Sequence, residues 1–122
     1  MILEIILKNF ESHEYTVLRF NKGFNVITGD NNVGKTSVIR AINLVAYNKF
    51  DPDSVRTGSE NCEITIKTDK GTVQVIRGKL NHWFVTPTGK PKMFFEKIGK
   101  VILPQAAEII GLKMVELGGI EL

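Results

Sequence analysis

Apolar positions along the chain fall into blocks of differing period. Ile2 to Lys8 is rich in Ile and Leu and predicts a buried strand. Tyr15 to Phe20 predicts a second strand, with the polar stretch Asn9 to Glu14 turning between them. Asn21-Lys22-Gly23 is the next turn signal, and Phe24 to Thr28 predicts a short strand centred on Val26 and Ile27. The period then changes. Val38, Ala41, Ile42, Val45 and Ala46 recur at the spacing of one helix face. Asn48 to Asp53 ends that helix, because the residue before Pro52 avoids the helical region.

From Cys62 the period becomes two. Cys62, Ile64 and Ile66 alternate with Glu63, Thr65 and Lys67, and Val73 and Val75 alternate beyond the turn Asp69-Lys70-Gly71. That pattern predicts a β-hairpin. His82 to Thr86 predicts a third strand, left at Pro87. Trp83 and Cys62 are expected in the core, although Trp83 beside Phe84 also has the chemistry to stack a base. After Pro91 the tail is expected to be helical in parts. Pro104 suits a first helical position and Gly111 the residue past a helix end, so Gln105 to Ile110 predicts one short helix. The expected divisions are a loop-and-helix part over 1–50, a hairpin part over 60–90 and a helical tail over 91–122.

Composition narrows the class. The 122 residues are 43% hydrophobic and 24% charged, with a net charge of +3, ordinary for one soluble domain. The basic excess permits contact with phosphate or nucleic acid without requiring it. One cysteine forms no internal disulfide and fits a reducing compartment. His13 and His82 lie far from any zinc-ligand spacing. The apolar runs are too short to span a bilayer, and the N-terminus lacks a signal-peptide pattern. No membrane contact and a cytoplasmic location are the expectation.

The chemistry concentrates at Gly29-Asp30-Asn31-Asn32-Val33-Gly34-Lys35-Thr36, which fits G-x-x-x-x-G-K-[ST]. Such a loop wraps phosphates with inward-pointing backbone N–H groups, here those of Gly29 and of Asn31, Asn32 and Val33. Gly29 and Gly34 allow the close approach that a side chain blocks. The following helix adds unpaired N–H donors and the positive end of its dipole. Lys35 contributes a full charge toward the β- and γ-phosphates. The Thr36 hydroxyl is a hard oxygen ligand suited to Mg²⁺. Ser37 adds a hydroxyl or N–H toward the α-phosphate. The motif lies between an apolar strand and an amphipathic helix, the setting this mechanism needs.

The wider pattern is Asn9-Phe10-x-Ser12-His13, then Phe20-Asn21-x-Gly23-x-Asn25-Val26-Ile27-x-Gly29-x-Asn31, then Gly34-Lys35-Thr36-Ser37-x-Ile39-x-Ala41-Ile42. It resembles the N-terminal lobe of the SMC-like ABC-type ATPases: SbcC, RecF, RecN, the SMC proteins and phage-encoded relatives, with the SbcC-like DNA repair branch nearest. The likeness is strongest over residues 1 to about 45 and continues through Val55-Arg56-x-Gly58, the hairpin, and Phe94 to Leu112. It implies an α/β fold: a P-loop NTPase first lobe with a mixed sheet and antiparallel hairpins. It implies ATP and Mg²⁺ as cofactors, and a C-terminal lobe of the same ATPase, a head-to-head homodimer, DNA and a nuclease subunit as partners. It also places Ser12 and His13 near the nucleotide, beside the plainer reading of a polar turn.

The same resemblance assigns hydrolysis to a C-terminal lobe carrying a Walker B Asp, a catalytic Glu and a signature Ser. None is identifiable in this chain, so a partial first lobe is expected, binding ATP weakly and hydrolysing it negligibly alone. The family's glutamine loop is expected near Gly118 to Leu122, and Gln105, ahead of a helix, fits it poorly. Two departures stand out: relatives often carry Arg where this chain has Glu11, and Gly-Ser where it has Asn32-Val33.

Other readings stay in view. Asn48-Lys49-Phe50-Asp51 matches the guanine-reading N-K-x-D of GTPases, but it follows Thr36 too closely and reads as a helix end and turn. Arg56, Lys67, Lys70, Arg77 and Lys79 are candidate DNA contacts, against the alternative of solvated lysines. Lys90, Lys92, Lys97 and Lys100 make a weaker set. The competing functions are a non-catalytic DNA-binding or scaffold module with a vestigial P-loop, and a different small P-loop enzyme. A lone lobe is also expected to expose apolar surface where its second lobe belongs.

Overall fold

The computed structural model describes residues 2–19 and 32–111. Six strands form one sheet: β1 (Ile2–Phe10), β2 (His13–Arg19), β3 (Asn61–Thr68), β4 (Gly71–Gly78), β5 (Asn81–Pro87) and β6 (Met93–Glu96). Their spatial order is β2-β1-β3-β4-β5-β6. Every pairing among these strands is antiparallel. The expected strand Phe24 to Thr28 lies outside the described residues. Helices α1 (Asn32–Tyr47) and α2 (Pro104–Ile110) and a single 3₁₀ turn at Pro52–Ser54 complete the described elements.

Alternation along the strands sends one face to the helices. Ile5, Leu7, Ile64, Ile66, Val73, Val75, Trp83 and Val85 are buried on that face. They form one core with Val38, Ala41, Ile42 and Val45 of α1 and with Ala106, Ile109 and Ile110 of α2. Burying this apolar surface is the main force holding the sheet to its helices. The buried Thr68 hydroxyl donates to the Ile109 carbonyl at 3.0 Å, which ties α2 to the end of β3. Cys62 and Trp83 are in the core as expected, and the Trp83 indole N–H donates to Asn81 Oδ1 at 2.7 Å.

The hairpin turn at Asp69-Lys70 needs Gly71. Its φ is 145°, and a Cβ there would sit 2.4 Å from the Thr86 carbonyl oxygen. Gly111 ends α2 in the left-handed region at φ 61°, its N–H bonded to the Ala107 carbonyl. The turn between β1 and β2 is shorter than the sequence suggests. Asn9 and Glu11 take positive φ, 53° and 54°, which lets the chain reverse over Glu11-Ser12 alone.

The tail corrects one expectation. The tail after Pro91 is expected to be helical in parts, but Met93–Glu96 is a strand, paired to β5 through Phe84↔Phe94 and Val85↔Met93. Its two phenylalanines alternate across the sheet: Phe95 packs on the core, while Phe94 is exposed and lies 5.0 Å from the Phe84 ring. Cross-strand aromatic contact favours a strand there over a helix. The helix in this tail is α2, at the predicted place.

Candidate nucleotide site

Helix α1 opens inside the glycine motif, at Asn32. Asn32, Val33 and Gly34 are therefore helical. Gly29 and Asn31 lie outside the described residues. The backbone of Lys35 continues the helix, and Thr36 is exposed on its second turn. No acidic residue stands in the first turn, so the positive end of the helix meets no competing carboxylate of its own.

The β1–β2 turn lies against this helix. Glu11 Oε1 accepts from the Ser37 hydroxyl at 2.5 Å, and the Glu11 carboxylate also takes a forked pair of bonds from Arg40. The Glu11 N–H donates to the Ser54 carbonyl at 2.6 Å, fixing the turn from its other side. Burial pushes the Glu11 carboxyl up, but the bonds from Arg40 and Ser37 outweigh it and hold the group below the ordinary carboxylate value. The departure at Glu11 is thus neutralised inside the protein. The same contact spends the buried Ser37 hydroxyl, and Ser37 lies beyond the first four helical residues, whose N–H groups alone are free of the helix's own bonds.

Ser12 is exposed, and its carbonyl accepts from Arg56 Nη1 at 3.2 Å. His13 Nδ1 meets the Thr16 hydroxyl at 2.9 Å, and its Nε2 is buried with no hydrogen-bond partner among the described residues. The turn therefore brings Ser12 and His13 to the same end of the sheet as Glu11, whose carboxylate reaches α1.

The five cations named as DNA contacts do not share a face. Lys67 points to the open face of the sheet and pairs with Glu4 at 3.3 Å. Lys79 pairs with Glu60 at 3.0 Å at the far end of β4, and Lys70 is exposed at the hairpin turn. Arg77 corrects the expectation of one basic face. Its register partner is Cys62, so it lies on the helix-covered side, stacked 4.4 Å over the Phe50 ring. Asn48 is spent too: its Nδ2 donates to the carbonyls of Gly99 and Val101 at 2.9 Å and 2.7 Å. That leaves no guanine-reading amide, in keeping with a helix end and turn. Gln105 sits within α2 rather than on a loop. Sequence reasoning missed the Glu11–Ser37–Arg40 cluster, whose members are 26 and 29 residues apart.

The comparisons bear on this arrangement. A family model described as an AAA domain matches residues 4–105. The DNA double-strand break repair Rad50 ATPase of Sulfolobus acidocaldarius is 28% identical over 99% of this chain and 14% of its own length. The Rad50 ATPase of Thermococcus kodakarensis is 34% identical over 60% of the chain and 9% of its length. The DNA replication and repair protein RecF of Ruminiclostridium cellulolyticum is 31% identical over 57% of the chain and 20% of its length. The chain thus matches a fifth or less of these relatives. A structure from work on ATP-driven dimerization and DNA-stimulated activation of SMC ATPases superposes with a TM-score of 0.53 at 18% identity, over 99% of this chain and 91% of that one. The recombination mediator RecF with a bound ATP analogue gives 0.51 at 20% identity, over 89% and 29%. The chain belongs to this AAA-domain family and, within it, to the N-terminal lobes of the SMC-like ABC-type ATPases. Its fold is that of the SMC and RecF ATPase heads.

Proposed function

We propose that this chain binds ATP with Mg²⁺ at Gly29–Thr36, as one lobe of a DNA repair ATPase. The observation that carries the reading is the start of α1 within the motif, with no acid in its first turn and the nearby Glu11 already neutralised. The residues present suit the ligand: helix amides and Lys35 for phosphate oxygens, and Thr36 as a hard oxygen donor for the metal. Bound Mg²⁺ supplies charge neutralisation between the β- and γ-phosphates. The chain's own residues bind and orient: Lys35 holds the terminal phosphates, and Glu11 fixes the helix against the β1–β2 turn through Ser37 and Arg40. Ser12 and His13, in and beside that turn, are proposed to approach the nucleotide.

On this reading hydrolysis requires a C-terminal lobe and a second head, and the chain alone turns over negligible ATP. DNA and a nuclease subunit are the proposed macromolecular partners; Arg56, Lys67, Lys70 and Lys79 would have to meet DNA phosphates separately, since they share no face and Lys67 and Lys79 are paired with Glu4 and Glu60. A cytoplasmic setting suits its single buried cysteine. Among the described residues no helix is long and apolar enough to cross a membrane.

Fluorescence anisotropy of a labelled ATP tests the assignment. The signal rises saturably with Mg²⁺, falls with chelator, and is competed by ATP more strongly than by GTP. Preferential competition by GTP would return the chain to the small-GTPase reading. Salt-dependent DNA binding with no nucleotide signal would favour the scaffold reading.

A further inference from the structure

A groove of about 870 Å³ opens at the opposite end of α1 from the glycine motif, where the helix runs out into Asn48–Pro52. Phe10, Leu44, Tyr47 and Phe50 give it apolar walls. Its charged lining is Arg40, Lys49, Arg77 and Lys100 against Asp51 alone. Arg40 is already matched by Glu11. Lys49, Arg77 and Lys100 have no carboxylate partner among the described residues. The carbonyl end of α1 offers about half a negative charge, which offsets one of the three in part.

Arg77 is the telling member. It occupies a core-face position in β4, in the same row parity as Val73 and Val75. Burial pulls its guanidinium below its ordinary value. Among the described residues it meets the Phe50 ring and Asn48 Oδ1, the latter at 3.3 Å, and its Nε is buried with no hydrogen-bond partner there. A half-buried guanidinium held by neutral groups costs free energy that an incoming anion returns. Asn48, in the left-handed region at φ 52°, holds this wall in place by pinning Gly99 and Val101.

The shape and the rings select among anions. Arg77 stacks on one face of the Phe50 ring and Lys49 lies 5.9 Å from the Tyr47 ring centroid, so cationic and apolar groups alternate along the groove. A DNA duplex is too broad to enter a groove of this size, whereas an extended peptide carrying carboxylates and apolar side chains fits it. We propose that this groove docks an acidic, partly apolar peptide segment of a partner protein, whose carboxylates pair with Arg77, Lys49 and Lys100. The site is separate from the nucleotide motif and does not rest on it.

The test uses a fluorescein-labelled ten-residue peptide alternating Glu with Phe and Leu, read by anisotropy against the whole chain. A matched peptide with Lys for Glu and a labelled oligothymidine of equal length are the comparison probes. The Glu peptide is expected to bind saturably, to weaken as salt is raised, and to weaken at least about tenfold in the double variant Lys49→Glu, Lys100→Glu. Both positions are exposed, so that variant keeps its fold, and far-ultraviolet circular dichroism checks it. Arg77→Gln is expected to weaken binding further. Absence of binding, equal binding to the double variant, equal binding of the Lys peptide, or preference for the oligonucleotide would each overturn the proposal.

Discussion

Replacing Glu11 by Ala tests the link between the β1–β2 turn and helix α1. The variant removes the acceptor of a fully buried hydroxyl, that of Ser37, and one half of an ion pair with Arg40. Leaving a buried hydroxyl unpaired costs about 1–3 kcal/mol. The Arg40 side chain is 50% exposed, so loss of that pair is discounted for screening. It adds only about 0.5–1 kcal/mol. The sum of about 1.5–4 kcal/mol corresponds to a fall in Tm of roughly 6–16 °C for a chain of this size. Glu11→Gln keeps an acceptor for Ser37 and loses the charge, so it is expected to cost about 1 kcal/mol. Thermal and urea unfolding followed by circular dichroism give both values.

The pH dependence has a fixed sign. The folded carboxyl titrates below its unfolded value, so its stabilising increment is present above about pH 4.5 and is lost as pH falls through the lower folded value. The gap between wild type and Glu11→Gln therefore closes in acid. A Glu11→Ala variant within about 0.5 kcal/mol of wild type at neutral pH, or a gap that widens in acid, would refute the linkage.

Three further outcomes follow from the packing. Trp83→Ala removes a fully buried side chain and is expected to cost about 3–5 kcal/mol in urea unfolding, while Phe94→Ala on the open face costs under about 1. Gly71→Ala meets the Thr86 carbonyl and a φ of 145°, and is expected to destabilise by about 1–3 kcal/mol, more than an alanine at the exposed, uncrowded Gly89. Cys62 is buried, and burial pushes its thiol up to about 11, so it is expected to resist thiol reagents at pH 8 until the chain unfolds. Prompt labelling of the native protein would contradict that.

What the sequence revealed follows from how far each signal reaches along the chain. The β3–β4 hairpin was legible because Ile64, Ile66, Val73 and Val75 alternate around a glycine turn, and α1 because its apolar face repeats over several turns. β6 was not, since Met93-Phe94-Phe95-Glu96 is four residues long and puts Phe94 on the open side, which hides the alternation. Arg77 was read as a surface cation because charge usually marks solvent. Counting parity onward from Val73 and Val75 would have put it on the inner face. The pairing of Glu11 with Ser37 and Arg40 had no local signature, because it depends on how the first turn docks against α1. The motif at Gly29–Thr36 rests on spacing, and spacing does not reveal that Ser37 spends its hydroxyl on Glu11.

Isothermal titration of ATP–Mg²⁺ into the wild-type chain and into Lys35→Ala tests the central claim most directly. Wild type is expected to give a saturable, weak binding isotherm that disappears in the variant and is absent without Mg²⁺. Equal heats from the two proteins, or none from either, would contradict a nucleotide site built on Lys35 and Thr36.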